Sequence, residues 1–157
     1  LLGLLNQLNI PIIVTGGNNE IDLAIKKNVP PLENIFNWIG QTSIEEYIAL
    51  SALSQGYIGM DTLNMHISAA QSKRVFAIFG PTRLSMWSPW SNELQRSATI
   101  DMPEQTYGNV TIFQADMPCV ACGQAGCKDS SKSECLDKIN PRVIFNEVKN
   151  WCQNVRL

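Results

Sequence analysis

Apolar residues along this chain fall into two rhythms, and their alternation sets an order of elements. Leu1, Leu4, Leu5 and Leu8 share one face of a helix, which Asn9 ends. Ile10-Pro11-Ile12-Ile13-Val14 is a short apolar run rich in β-branched residues, the pattern of a strand covered on both faces, as in a parallel sheet. Thr15 to Asn19 is a turn, and Glu20 to Lys27 a helix stopped by Val29-Pro30-Pro31. Ile35 to Trp38 suits another short strand. Thr42 or Ser43 caps the next helix, with Glu45 or Glu46 completing a capping box. Gly56 to Met60 predicts a strand, Asp61 the cap of a helix reaching about Gln71, and Arg74 to Phe79 a strand that ends in Gly80-Pro81-Thr82.

Strand and helix thus alternate at short spacing, four strands deep. The pattern predicts an α/β domain with a mostly parallel sheet and right-handed crossovers that put helices on both faces. Gly80 to Ser97 reads as a long loop containing Pro and Trp, Val110 to Phe113 as a further strand, and Pro141 to Cys152 as a closing helix.

At 157 residues the chain is one domain of ordinary size, able to bury a core. Its net charge of −2 excludes a general nucleic-acid binder, which would show a basic face. The pairs Lys26-Lys27 and Lys73-Arg74 read as solvated surface. No apolar run approaches the ~20 residues of a membrane span, so no transmembrane segment is expected. The start lacks the basic region and cleavage site of a signal peptide. It also lacks Met and opens inside an apolar helical stretch without a cap. The expectation is a piece cut from a larger protein.

Ligands of a parallel α/β sheet sit beyond the carboxyl ends of its strands, and three segments lie there. In Thr15-Gly16-Gly17-Asn18-Asn19-Glu20 the glycines let backbone approach a ligand, and Glu20 can bond ribose hydroxyls. The same residues also make an ordinary strand-to-helix turn with a dipole-friendly Glu. The segment is neither a Walker loop nor a dinucleotide fingerprint, because its spacing fits neither. In Gly59-Met60-Asp61-Thr62-Leu63-Asn64-Met65-His66, unpaired helix amides form a natural diphosphate cradle. Asp61 caps and aligns them, Thr62 adds a donor, and His66, the chain's one His, lies one turn in. Taken alone, the segment is better explained by a plain N-cap with a packed His. Phe79-Gly80-Pro81-Thr82-Arg83 shapes a rim with one cation, or is simply a turn.

Four of the five cysteines, Cys119, Cys122, Cys127 and Cys135, fall within seventeen residues in a Cys-rich loop over 117–137, and the fifth is Cys152. A secreted disulfide scaffold spreads its cysteines more widely, so the expected setting is reducing and cytoplasmic. One CxxC with two further Cys nearby resembles a structural zinc site; the alternatives are reduced packed thiols, disulfides formed after purification, and an iron–sulfur site that no other feature supports. Four thiolates would close the site, leaving zinc a structural rather than a catalytic role.

Together the segments resemble glycosyltransferase family 9, the lipopolysaccharide heptosyltransferases. The resemblance rests on Gly16-Gly17-Asn18-Asn19-Glu20 and on Gly40-Gln41-Thr42-Ser43-Ile44-Glu45-Glu46. It continues through Asp61-Thr62-Leu63-Asn64-Met65-His66-Ile67-Ser68-Ala69-Ala70, then Phe79-Gly80-Pro81-Thr82 and Trp87-Ser88-Pro89-Trp90, in that order. The Cys-rich loop followed by Ile139-Asn140-Pro141 is similar to members of the family too. The resemblance implies that residues 1–157 are the Rossmann-like C-terminal, nucleotide-sugar-binding domain of a GT-B enzyme, truncated at its N-terminus. It implies an ADP-heptose-like donor, with Gly16 and Gly17 in the donor turn, Glu20 on the ribose and Thr42 near the adenine. Asp61, Thr62, Leu63, Asn64 and His66 would hold the diphosphate.

The implied reaction inverts the sugar by direct displacement and requires no metal cofactor. The base and the lipopolysaccharide core acceptor belong to the other domain, absent from this sequence, so no catalytic residue is expected here and the chain alone is expected to transfer no sugar. In the full-length protein the implied place is cytoplasmic, peripheral to the inner membrane. One departure stands out: Leu63 replaces the family's usual Gly, which is expected to narrow the phosphate loop or change its backbone angle. Two other classes fit the residues: a non-catalytic nucleotide or sugar-phosphate binding module, and a zinc-stabilised interaction domain.

Overall fold

The computed structural model describes every residue except Asp129, Ser131, Arg156 and Leu157. The chain forms two compact units, Leu1–Tyr47 with Pro141–Leu157, and Ile48–Asn140.

In the first unit α1 (Leu2–Leu5) passes into a 3₁₀ turn at Asn6–Leu8. Asn9 stops it in the left-handed region at φ 56°, a conformation that Asn tolerates better than most side chains. Next come β1 (Ile12–Val14), α2 (Glu20–Lys26) and β2 (Ile35–Asn37), and the two strands pair in parallel with Ile12 opposite Ile35. α7 (Pro141–Val155) buries Ile144, Val148 and Cys152, spaced four apart, and packs against α1. The helix runs three residues past the expected Cys152.

α3 (Ile44–Leu53) leads into the second unit and opens with the expected capping box. The Ser43 N–H donates to Glu46 Oε2 at 2.8 Å, and the Glu46 N–H donates to Ser43 Oγ at 3.2 Å. The second unit contains β3 (Gly56–Met60), α4 (Leu63–Ala70), β4 (Arg74–Phe79), α5 (Leu84–Trp87), β5 (Glu104–Tyr107), β6 (Val110–Gln114) and α6 (Glu134–Lys138). Its sheet runs β3-β4-β6-β5, with β3, β4 and β6 parallel and β5 antiparallel at the edge. The strands therefore form two sheets, one per unit, where the alternation predicted one. The architecture is α/β and Rossmann-like, with parallel pairing everywhere except β5.

One face of the larger sheet carries the main hydrophobic cluster. Val75, Ala77 and Phe79 of β4 and Val110 and Ile112 of β6 are buried there with Met65 and Ala69 of α4. Fully burying the larger of these, Val, Ile, Phe and Met, contributes about 1.5–3 kcal/mol each. Two Ser hydroxyls, Ser51 on α3 and Ser68 on α4, meet in the interior at 3.0 Å, and Ser68 also donates to the Asn64 carbonyl, so neither is left unsatisfied.

The expected Gly80–Ser97 loop proves partly ordered into α5 and a Ser91–Arg96 bridge. The cause is non-local. Asp101 accepts the Leu84 N–H at 2.9 Å and so caps a helix seventeen residues back in the chain. The Tyr107 hydroxyl, buried and donating to the Pro89 carbonyl at 2.8 Å, fixes the Trp-Ser-Pro stretch. Burial pushes its pKa up. Gly108 (φ 51°) makes the β5–β6 turn, where an added Cβ would run into Ser91 Oγ.

Candidate functional site

In the first unit the turns after β1 and β2 lie side by side. The Gly40 N–H donates to the Gly16 carbonyl at 3.0 Å, and Gly40 takes φ +71° with Asn18 and Leu23 against it. A side chain there would meet both crowding and a left-handed backbone. This pairing brings Gly16, Gly17 and Gly40 together beyond the carboxyl ends of β1 and β2.

Asn19 caps α2, its Oδ1 accepting the Asp22 N–H at 3.0 Å. The Asp22 carboxylate in turn accepts from the Gly17 N–H and from Asn19 Nδ2, both at 2.7 Å. Asp22 therefore holds the Gly-Gly turn in shape, a role that the sequence reading missed. Its signal was the three-residue spacing from Asn19 to an acid. Glu20, at the first position of α2, is exposed, and its carboxylate has no partner among the described residues.

In the second unit the sequence placed the cap of α4 at Asp61. The structure places it at Thr62, in extended backbone (φ −125°, ψ 173°), and the Thr62 side chain makes no capping bond. The first turn closes through the Thr62 carbonyl, which accepts from the Met65 and His66 N–H groups at 3.1 and 3.4 Å. The reason for the shift is local. The Thr62 N–H bonds back to the Met60 carbonyl at 2.9 Å, which tightens the exit from β3 by one residue.

Asp61 then stands just before the cap and His66 at the fourth helical position. These two positions face each other at a helix start. Both side chains are half-buried, and neither has a partner among the described residues. Leu63 lies at the first helical position with its side chain 56% exposed, and it is not among the residues with positive φ. Its backbone is therefore helical, with no left-handed angle at this position. Asn64 follows it, half-buried.

The third segment forms a braced rim. Gln114, at the end of β6, donates from Nε2 to the Gly80 and Thr82 carbonyls at 3.1 and 3.0 Å. Leu136 packs over Gly80, and the Gly123 N–H donates to the Pro81 carbonyl at 2.7 Å, so the Cys-rich loop is anchored on this turn. Arg83 is exposed.

Among the described residues no three His, Cys, Asp or Glu side chains form a group that could hold a metal ion. As they stand, Cys119, Cys122, Cys127 and Cys135 do not make a ligand set, and Asp129 and Ser131 of their loop lie outside the described residues. Cys127 Sγ accepts the Glu134 N–H at 3.4 Å. Cys135 is buried, and burial pushes its thiol pKa up, with Cys127 and Cys122 nearby adding to the shift. Burial likewise raises Cys152. Reactivity follows the exposed thiolate. Metal-free native protein should therefore be alkylated first at exposed Cys119 and Cys122, and at Cys135 and Cys152 only on unfolding. Mass spectrometry of iodoacetamide-treated samples reads the order. Protection of Cys119 and Cys122 in zinc-loaded protein, lost on chelation, would reveal that the loop closes on the metal.

Among the described residues no helix is long and apolar enough to cross a membrane.

The profile of glycosyltransferase family 9 (heptosyltransferase) matches residues 1–113. A lipooligosaccharide heptosyltransferase 2 from Campylobacter jejuni is 27% identical over 139 residues, which cover 88% of this chain and 38% of that protein. Lipopolysaccharide heptosyltransferase 3 of Escherichia coli is 30% identical over 89 residues, covering 53% of this chain and 25% of its own length. The solved E. coli ADP-heptose lipopolysaccharide heptosyltransferase II is similar over 99% of this chain and 41% of that one, with a TM-score of 0.68 and 15% identity, a likeness of fold. The chain spans about two-fifths or less of the length of these relatives.

Proposed function

Because this chain belongs to glycosyltransferase family 9, the heptosyltransferases, we propose that it is the donor-binding part of an inverting enzyme of lipopolysaccharide core biosynthesis, with an ADP-heptose-like donor. The observation that carries the reading is the start of α4. Two polar side chains, Asp61 and His66, are half-buried and without partners among the described residues, beside a helix start where the Thr62 side chain makes no capping bond. Their polar atoms still reach solvent, and a bound polyanion with its sugar would replace that water with direct partners.

Roles are assigned within each unit. In the second, the first-turn amides of α4, Thr62, Asn64 and His66 take the diphosphate, with the helix dipole favouring negative charge there. Leu63 presents an apolar wall beside them. Asp61 does not cap, and a carboxylate repels phosphate, so it suits sugar hydroxyls instead. In the first unit, Gly16 and Gly17 give the turn its close approach, Glu20 bonds ribose hydroxyls and Thr42 lies towards the base.

The displacement needs no metal in this reading. Positive donors at α4 stabilise the departing diphosphate as charge builds on it. The general base and the acceptor site are assigned to the portion of the relatives that this chain does not span, and the whole enzyme to the cytoplasmic side of the inner membrane.

Calorimetric titration of the chain with ADP, UDP and GDP tests the reading. ADP-selective binding supports an ADP-sugar donor. Equal affinity for all three would remove the base assignment, and no binding to any would remove the donor-site assignment.

A further inference from the structure

Tyr57 lies two residues before Gly59 on β3, so both point to the same face of the strand. The ring of Tyr57 folds over Gly59. A Cβ at position 59 would stand 2.5 Å from the Tyr57 hydroxyl oxygen and 2.8 Å from Cζ, so only glycine admits the ring. Tyr57 also packs against the main core cluster, which fixes the ring from the other side. Its hydroxyl is thereby carried along the strand to the turn that leads into α4.

Two contacts are made there. The Tyr57 hydroxyl donates to the Met60 carbonyl at 2.8 Å, and it lies 3.4 Å from Thr62 Oγ1. A phenol has one proton. With that proton on Met60, the contact to Thr62 is one in which the Thr62 hydroxyl donates to the phenol oxygen. The Met60 carbonyl also accepts the Thr62 N–H at 2.9 Å, so both of its lone pairs are engaged and the turn is pinned.

The usual act of a Thr at this position is to accept from an amide of its own helix, and Thr62 does not do so. We propose that Tyr57 is a positioning residue for the diphosphate-binding turn. It holds the Thr62 hydroxyl away from its own helix, in a long contact that a phosphate oxygen replaces when the donor binds. The inference rests on the assignment of diphosphate to the start of α4. It adds that the turn is kept ready by a residue that never touches the ligand.

Tyr57→Phe keeps the ring over Gly59 and removes only the hydroxyl. The Thr62 side chain is then free to cap α4. Exchange of the first-turn amides of α4 with solvent, followed by NMR, should slow in Tyr57→Phe. ADP affinity should fall about three- to tenfold, the range expected for one hydrogen bond.

Thr62→Val removes the group on which Tyr57 acts. In that background Tyr57→Phe should cost nothing further, a non-additivity that a merely structural Tyr57 would not produce. Unchanged amide exchange and ADP affinity in Tyr57→Phe would overturn the proposal. So would a double variant that loses the sum of the two single effects. A wild-type chain that binds no ADP would overturn the diphosphate assignment instead, and the amide exchange would still decide whether Tyr57 restrains Thr62.

Discussion

Phe79→Ala is expected to destabilise the chain by about 3–5 kcal/mol, the range for truncating a buried Phe. Phe79 is fully buried, clustered with Met65, Leu84 and Ile112. Its place in the sheet makes neighbouring collapse difficult. It sits opposite Gln114 in the parallel register, and Gln114 is tied by two hydrogen bonds to the turn just beyond it. A cavity here would therefore persist, and the rim at Gly80–Thr82 would lose its floor. Against a total stability of about 5–15 kcal/mol for ordinary domains, that loss is a large fraction.

Phe36→Ala supplies the contrast. Phe36 is 46% exposed on β2, so its removal forfeits far less buried surface. Urea denaturation followed by circular dichroism compares the two. Equal losses would mean that β4 is not the packed centre that its burial indicates.

The contrast also shows what the sequence could reveal. β4 was legible to the residue, Arg74 to Phe79, because a run of apolar residues between a basic pair and Gly-Pro has one simple reading. β3 was equally clear, and the capping box at Ser43 and Glu46 was among the pairings offered. β5 was missed. Glu104-Gln105-Thr106-Tyr107 carries little apolar signal, and its strand exists because β6 offers it an edge through the Gly108 turn. α5 was missed because its cap comes from Asp101, distant in sequence.

At the candidate site the segments were legible and the roles were not. The spacing around Asp61 and Thr62 announced a helix start. The cap position depended on a backbone bond from Thr62 to Met60, and the contact of the Thr62 hydroxyl on the nearby Tyr57. Neither follows from local preference, since Asp and Thr are both good caps. Asp22 was hidden for a similar reason. A charged residue in a helix's first turn looks like dipole decoration until the fold brings the Gly17 N–H onto it.

The cap assignment leads to an expected split between Asp61 and His66. His66→Ala should weaken binding of ADP and of ADP-heptose alike, by about ten- to a hundredfold, the range for a hydrogen bond to a charged group. The imidazole lies one turn into α4, where it can donate to a phosphate oxygen that both ligands possess. Asp61→Ala should behave differently. Had Asp61 been the cap, its loss would have disordered the amides and harmed both ligands together. The structure gives the cap to Thr62 and leaves the Asp61 carboxylate half-buried and unpartnered among the described residues.

A carboxylate so close to the diphosphate position repels it, so ADP alone should bind Asp61→Ala as well as, or better than, the wild type. ADP-heptose should bind more weakly to that variant, because the carboxylate no longer accepts from the sugar. Calorimetry with the two ligands on the two variants and on the double variant reads this directly. If Asp61→Ala loses ADP as severely as His66→Ala does, the carboxylate serves the turn and not the sugar. If neither variant changes the affinity for either ligand, the donor is not held at the start of α4.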